Sequence, residues 1–300
     1  MPIRCLTIDV EEYYHIEAAH GRVQRDDWPR WPSRVEVGMD RLLELLDRLG
    51  RRATFFFLGH VAQQHPHLAK RCAAAGHEVA SHGSMHDRLH RLNPASFRED
   101  LLASKHLLED QTGQAVVGYR APTWSITRQT AWALDVLAEA GFRYDASIFP
   151  VRHPWYGVPD APYQPFRAQS APGRPAVLEL PPLVWRVAGR SWPAAGGGYF
   201  RLLPLGLMRR GLMQAQREGR PAILYFHPWE FDPDLPRLPL GVLGCLRTYS
   251  GLGRSLSRLE RLLRLPGTWQ PLVHHLDSFE AMAQQTGDWP LQPGDAAGLR

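Results

Sequence analysis

Two histidines, His82 and His86, lie four residues apart and directly follow a short apolar run. At this spacing, one helical turn or a tight loop places both imidazoles on the same side of the backbone. Such a pair binds a metal ion when a third ligand comes from elsewhere in the chain. The chain has 14 histidines, so the pair is weak evidence until the sequence also supplies that ligand.

Polar side chains also follow other apolar runs. They are Asp9, Glu11 and Glu12 in the first run or after it, Arg120 after 116–119, Asp145 at the end of 142–145, and His227 after 221–226. Two histidines and one carboxylate form a known zinc ligand set that leaves a position open for water. Hydrolysis also needs a base and an acid, and Asp9 and His227 are candidates for those roles. Arg120 is a candidate to pair with a buried carboxylate and to orient it.

The third metal ligand remains open between two neighbouring carboxylates. In a strand, Asp9 and Glu11 point to the same side and Glu12 points to the other, which favours Glu11 as the ligand. If the strand ends earlier, this alternation no longer holds, and Glu12 remains the alternative.

The pattern of apolar residues predicts the elements that position these side chains. We expect strands over 3–10, 53–59, 77–81, 116–119, 142–145, 177–180, 183–187 and 221–226. We expect helices over 33–49, 61–75, 93–111, 127–141, 204–218 and 252–265, the first of them capped by Ser33. Strands that alternate with helices predict an α/β fold with a parallel sheet and right-handed crossovers. Side chains that follow such strands meet at one edge, where the active sites of α/β barrels lie.

Two segments lack a regular period. Residues 151–176 are rich in proline, histidine and aromatic residues, which predicts a long irregular insertion. The glycine-rich stretch 196–200 lacks the features of a phosphate-binding loop, so we interpret it as a turn or a close backbone approach. We expect a catalytic barrel over 1–230, an extension packed on it over 231–286, and a disordered tail over 287–300.

Composition argues against several other classes of protein. The net charge of +5 comes mainly from dispersed arginines, which predicts a solvated basic surface rather than a nucleic-acid site. The three cysteines lie far apart, so no disulfide framework is expected. No apolar run approaches the ~20 residues of a spanning helix, and no signal peptide is recognised. The sequence therefore predicts a cytoplasmic location and no transmembrane segment.

Four motifs together resemble the polysaccharide deacetylases of carbohydrate esterase family four, the NodB-homology type. They are Thr7–Glu12, Ser81–His86, Tyr119–Pro122 and Leu224–His227. The residues around them are similar to the branch found beside exosortase (PEP-CTERM) exopolysaccharide loci. The first motif departs from the common pattern of two adjacent aspartates, because Val10 follows Asp9.

This resemblance implies a fold, an activity and a cofactor. The fold is an irregular (β/α)7–8 TIM-like barrel with long loops and a C-terminal extension. The activity is the hydrolysis of N-acetyl groups on the amino sugars of a polysaccharide, with an exopolysaccharide as the expected substrate. The cofactor is a divalent metal ion, with zinc favoured. The expected partner is an N-acetylated polysaccharide or oligosaccharide, and no nucleic acid is expected.

The resemblance also implies a role for each residue that matches a motif. Asp9 is the base, Arg120 orients it, and His227 is the general acid. The metal ligands are Glu11, His82 and His86. An acidic residue that tethers His227 is expected, with Asp145 as the first candidate and Glu230 as the second. Three aromatic side chains are candidates to stack on sugar rings, with core packing as the alternative for each: Trp124, Phe149 and Trp229.

Two other functions remain as alternatives. The first is an amidohydrolase or deacetylase that acts on a small nitrogenous substrate, because barrel folds accept many ligands. The second is a non-catalytic carbohydrate-binding protein with a relict site, although the full set of acidic, basic and histidine residues argues against it.

Overall fold

The computed structural model describes residues 1–291 of the 300-residue chain. Its strands are β1 (Ile3–Val10), β2 (Thr54–Phe57), β3 (Glu78–Ser81), β4 (Gly118–Tyr119), β5 (Tyr144–Asp145), β6 (Phe166–Gln169), β7 (Ala176–Glu179), β8 (Val184–Val187), β9 (Arg190–Pro193), β10 (Ala222–Phe226), β11 (Thr268–Trp269) and β12 (Asp288–Pro290). Its α-helices are α1 (Val35–Arg48), α2 (Gly59–Gln64), α3 (Pro66–Ala74), α4 (Pro94–Thr112), α5 (Trp132–Glu139), α6 (Gly197–Leu202), α7 (Leu205–Arg217), α8 (Val242–Tyr249), α9 (Leu252–Leu263) and α10 (Leu276–Thr286).

Most strands form one mostly parallel sheet. Seven of them lie side by side in the order β10–β1–β2–β3–β4–β5–β7, and every pair in this series is parallel. β6 is antiparallel to β7, while β12 pairs with β6 and β11 pairs with β1. The backbone N–H of Leu183, soon after β7, donates to the carbonyl of Ile223 in β10 at 2.9 Å. The two ends of the parallel series therefore contact each other, and the predicted α/β fold with an irregular barrel is confirmed.

The core lies on both sides of this sheet. β1 is buried from Arg4 to Val10, as expected for a parallel strand that is covered on both faces. α1 presents an apolar stripe to the core, because its buried residues recur at intervals of three and four. They are Val35, Gly38, Met39, Leu42, Leu45 and Leu46.

The helix predicted over 61–75 is two helices. α2 ends at Gln64 and α3 begins at Pro66, and His65 between them is non-helical, with φ −129° and ψ 62°. A proline disfavours the helical conformation of the residue before it, so the break follows from Pro66.

The segments of irregular composition are more ordered than the sequence predicts. The insertion over 151–176 contains β6, and β12 pairs with it within the region predicted to be a disordered tail. The prediction of disorder is wrong for 288–290, because the backbone there joins the sheet and Leu291 is buried. The rest of that tail prediction, over 292–300, lies outside the described residues. Among residues 1–291, the helices are too short or too polar to cross a membrane.

The glycine-rich stretch is a close backbone approach, as one of the two interpretations predicts. A Cβ atom on Gly196 would lie 1.8 Å from the carbonyl oxygen of Tyr225 in β10. The following residues form α6 rather than a turn. The run predicted as a strand over 183–187 is β8, which pairs with β9 as a separate two-stranded sheet.

Candidate active site

The carboxyl ends of three strands meet at one edge of the sheet. Asp9 is the last residue but one of β1, His82 directly follows β3, and His227 directly follows β10. β1 pairs with β10 on one side and with β2 on the other, and β2 pairs with β3. The parallel order therefore brings these side chains to one place, as predicted.

Glu11, His82 and His86 place their ligand atoms within 4.8 Å of one another. Oε2 of Glu11 is 2.7 Å from Nε2 of His86. Nδ1 of His82 is 2.8 Å from the backbone carbonyl of Arg120, and a hydrogen bond there leaves Nε2 available for a metal ion. Two imidazole nitrogens and one carboxylate oxygen are ligands that zinc prefers, so these residues fit the predicted cation.

A tight loop, not a helix, positions the two histidines. Gly83 and His86 have left-handed φ values of 75° and 58°. The side-chain carboxylate of Asp100 in α4 accepts a hydrogen bond from the backbone N–H of Ser84 at 3.0 Å. The backbone carbonyl of Asp100 accepts one from the hydroxyl of Ser84 at 2.7 Å. Sequence analysis missed Asp100, because an acidic residue within an amphipathic helix has no feature that distinguishes it from a solvated one.

The protonation states of this cluster also suit a cation. Burial lowers the pKa of His82 to about 4, so its imidazole is neutral, as a metal ligand must be. Burial alone would raise the pKa of Glu11, but the charges of His86 and His227 outweigh it and hold that pKa below its ordinary range. Glu11 is therefore an ionised carboxylate surrounded by nitrogen atoms.

Glu12 points away from the histidines. Its carboxylate accepts the backbone N–H of Arg34 at 3.0 Å and that of Val35 at 3.2 Å, and it contacts the hydroxyl of Ser33. These groups lie at the start of α1, so Glu12 caps this helix and Glu11 alone joins the histidines. The prediction that Ser33 caps the helix is wrong, because Arg34 occupies the cap position and the capping oxygens come from Glu12.

Asp9 and Arg120 form a buried ion pair beside the metal ligands. Nη1 of Arg120 donates to Oδ1 of Asp9 at 2.6 Å and to the hydroxyl of Thr7 at 2.7 Å. The guanidinium lies over the ring of Phe56 on one side and that of Trp124 on the other, at 4.2 and 4.7 Å. Arg120 is thus held rigidly and in turn holds Asp9, in the arrangement that the sequence predicts.

His227 faces both carboxylates of the site and is held from behind by Glu230. Its Nε2 lies 3.9 Å from Asp9 and 3.6 Å from Glu11, and its Nδ1 lies 2.8 Å from Oε1 of Glu230. The other oxygen of Glu230 accepts from Nε of Arg201 at 2.8 Å, and both residues are buried. Burial lowers the pKa of His227, but Glu11 and Glu230 outweigh this effect and raise it to about 9.

The first candidate for the residue that tethers His227 is therefore wrong. Asp145 contacts the hydroxyl of Ser147 and the carboxyl of Glu179, not His227. Burial raises the pKa of Asp145 to about 6, and burial together with Asp145 raises the pKa of Glu179 well above its ordinary range. Glu230 takes the tethering role, because a short 3-10 turn after β10 places it three residues beyond His227.

Two further residues that support His227 were not predicted. Arg201 binds Glu230 and also donates to the carbonyl of Thr248 at 2.7 Å, but nothing in its sequence context separates it from a surface arginine. Gly38 in α1 lets the helix approach the turn after His227, since a Cβ atom there would lie 2.0 Å from the carbonyl oxygen of Pro228. A glycine within an apolar helical pattern signals such a contact.

A cavity of about 700 Å³ opens above these groups. Trp124 and Trp229 line it, and each is only 6% exposed. Trp229 also stacks on His227 and donates from Nε1 to Glu11 at 3.3 Å, so it supports the site as well as bordering it.

Phe149 is fully buried behind Trp124 and is not among the residues that line the cavity, so the prediction that it stacks on sugar is wrong. Trp155, which was not predicted, lies at the rim and is 51% exposed.

Two family models match adjacent parts of the chain. A model of the polysaccharide deacetylases matches residues 26–144, and a model described as a domain of unknown function, DUF3473, matches residues 146–274. His82, His86 and Arg120 lie in the first region, whereas Arg201, His227 and Glu230 lie in the second.

Curated relatives match less than half of the chain. A peptidoglycan deacetylase of Helicobacter pylori is 35% identical over 128 residues, which are 43% of this chain and 43% of that protein. A peptidoglycan deacetylase-like protein of Gibberella zeae is 36% identical over 131 residues, which are 43% of this chain and 38% of that protein. The chain thus spans less than half the length of these relatives.

A solved structure matches the fold over nearly the whole chain. The crystal structure of a putative polysaccharide deacetylase from Mycobacterium smegmatis has a TM-score of 0.63 and 22% sequence identity. The match covers 93% of this chain and 90% of that one. The likeness extends through the region of the second family model, and at this identity it concerns the fold alone.

Proposed function

The chain belongs to the polysaccharide deacetylases through the domain over residues 26–144, and on this premise we propose that it hydrolyses N-acetyl groups on the amino sugars of a polysaccharide. The observation that carries the proposal is the meeting of a candidate metal set with Asp9 and His227 in one cavity. A metal set alone supports many functions, whereas a base and an acid on either side of it are what amide hydrolysis requires.

Glu11, His82 and His86 would hold the metal ion. When bound, a divalent cation supplies Lewis acidity toward the acetyl carbonyl and lowers the pKa of a water molecule. Zinc is the candidate that agrees with two imidazoles and one carboxylate.

Asp9 and His227 would move the protons. Asp9 removes a proton from the water as the water oxygen attacks the carbonyl carbon, and Arg120 holds Asp9 in position for this step. Nε2 of His227 then donates a proton to the departing nitrogen, so that the C–N bond breaks and acetate and a free amine are formed. Glu230 and Arg201 keep the imidazole directed at the same point.

The cavity suits part of a sugar polymer. Its volume of about 700 Å³ lies within the range of about 300–1,000 Å³ that is typical of ligand sites. Trp124, Trp155 and Trp229 border it, and aromatic faces of this kind can stack on sugar rings. We propose an N-acetylated exopolysaccharide as the substrate, since the motifs resemble the branch found beside exopolysaccharide loci.

The test is acetate release from a panel of N-acetylated polysaccharides and oligosaccharides, with small amides as a second panel. We expect acetate from at least one glycan, loss of that activity with a chelator, and its return when zinc is added. Hydrolysis of small amides alone would show instead that the substrate is a small nitrogenous compound. Sugar binding without any hydrolysis, in the presence of metal, would show a non-catalytic binding protein.

A further inference from the structure

Helix α8 turns apolar side chains outward at the rim of the cavity. Val242, Leu243 and Leu246 are 79%, 76% and 55% exposed. At 100° per residue they lie within one arc of the helix, while Thr248, its buried residue, lies on the opposite side. A surface helix ordinarily turns such residues toward the core, so this face lacks a partner among the described residues.

The chain segment that contains α8 carries charges of one sign, and Glu17, the carboxylate of the short turn packed against α8, is ion-paired with Arg88. From Leu235 to Leu259 the chain carries four arginines and no aspartate or glutamate. They are Arg237, Arg247, Arg254 and Arg258. Within residues 1–291 none of the four forms an ion pair with a carboxylate. Arg22, from the other side of the cavity rim, adds a fifth positive charge where it donates to the carbonyl of Pro239 at 3.2 Å.

An exposed aromatic side chain extends the same rim. Trp155 is 51% exposed, and the guanidinium of Arg247 lies 5.9 Å from the centre of its ring. Exposed leucine, valine and tryptophan beside unpaired arginines are the composition of protein surfaces that enter the boundary between lipid headgroups and acyl chains.

We infer that the outer face of α8 binds the surface of an anionic phospholipid bilayer. The apolar side chains of Val242, Leu243 and Leu246 enter the headgroup boundary, and the surrounding arginines bind lipid phosphates. The cavity then opens toward the membrane, because Val242 and Leu243 also line it. Vesicle binding is measured without any glycan, so the inference does not depend on the proposed activity.

A second copy of the chain fits this face poorly. A stable dimer buries about 800 Å² on each partner, which is far more than three side chains provide. A twofold contact would also place the arginines of one copy near those of the other, which is repulsive. An anionic surface has the complementary charge.

The experiment is cosedimentation of the full chain with vesicles of phosphatidylcholine alone or mixed with phosphatidylglycerol. We expect binding to the mixed vesicles, little binding to the neutral ones, and a steep fall in binding as salt increases. The triple variant Val242→Ser, Leu243→Ser, Leu246→Ser should lower the affinity at least about tenfold, because it removes the inserted apolar groups. Met213→Ser on α7 is the matched control, since Met213 is also apolar and 60% exposed. This variant should bind vesicles as the wild type does.

A second variant separates folding from binding. Arg237→Gln with Arg254→Gln changes two exposed side chains and should weaken binding to anionic vesicles without changing the circular dichroism spectrum. Unchanged binding in both variants would overturn the inference. The inference would also be overturned if the wild-type chain formed a dimer without vesicles and the triple variant did not. The face would then bind a second copy of the chain.

Discussion

Nδ1 of His227 lies 2.8 Å from Oε1 of Glu230, three residues later in the same short turn. The second oxygen of Glu230 binds Arg201, which belongs to α6 and also holds the backbone at Thr248. This series of contacts fixes the plane of the imidazole and leaves Nε2 directed toward Asp9 and Glu11.

Glu230→Gln should lower kcat for acetate release by about 10–100-fold, because the histidine loses the charged acceptor that orients it. KM and the metal content of the purified protein should stay near the wild-type values, since Glu230 is not one of the candidate ligands and does not itself line the cavity. Steady-state kinetics and elemental analysis measure these quantities. Glu218→Gln is the control, because it makes the same chemical change in an ion pair with Arg220 that does not line the cavity. An unchanged kcat in Glu230→Gln would show that this tether is not needed.

Glu11→Ala and Glu12→Ala should have different effects although the residues are adjacent. Glu11→Ala should lose bound zinc, because one of three protein ligands is missing. Glu12→Ala should keep the zinc but lower the free energy of unfolding by about 0.5–2 kcal/mol, because α1 loses its capping oxygens. Zinc titration and chemical denaturation separate the two outcomes. Loss of zinc only in Glu12→Ala would reverse the assignment.

Asp9→Asn should retain the metal, and its rate of acetate release should fall at least about 100-fold, the lower end of what a general base contributes. Asparagine keeps an oxygen for Arg120, so the fold around the buried ion pair is retained. Asp40→Asn, at a surface ion pair with Arg71, makes the same chemical change and should have no effect. Full activity in Asp9→Asn would remove this residue from the mechanism.

The buried carboxyl pair of Asp145 and Glu179 predicts a pH dependence of stability. The pKa of Asp145 is raised to about 6 by burial, and the pKa of Glu179 is raised well above its ordinary range by burial and by Asp145. Both lie above the unfolded values of about 4. The contribution of this pair to stability is therefore complete below pH ~4 and is lost progressively as the pH rises from there through the folded pKa values.

Glu179→Gln should reduce this loss. Glutamine keeps the oxygen that accepts the N–H of Ile148 at 2.9 Å and donates to Asp145 without being able to ionise. Between about pH 5 and about pH 8, the fall in Tm caused by this pair should be smaller than in the wild type. Glu280→Gln, at a half-exposed ion pair with Arg167, should leave the pH dependence unchanged. An equal fall in Tm in all three proteins would contradict the raised pKa values of Asp145 and Glu179.

The sequence predicts the parallel strands and the residues at their ends because each strand is a short apolar run and each end carries a polar side chain. It does not predict which carboxylate binds which partner. Glu12 and Ser33 are 21 residues apart and meet only in the folded chain, and Arg201 is 29 residues from Glu230. β6 and β12 were missed because short strands of mixed polarity resemble loops.

The candidate site crosses the boundary between the two matched regions. The histidines of the candidate metal set lie in the first region, the proposed acid His227 and its supports lie in the second, and Asp9 and Glu11 precede both. The second region is therefore part of the proposed catalytic unit rather than an appendage.

At Gly38 the backbone of α1 meets the backbone of Pro228 with no side chain between them. A side chain can change rotamer when a ligand enters, whereas two main chains in contact within a packed core have no such freedom. The position of His227 relative to the sheet is thus fixed before a substrate binds, and the proposed reaction would need little rearrangement of this residue. Changes in the outer loops would then alter which substrate is held without altering this inner spacing.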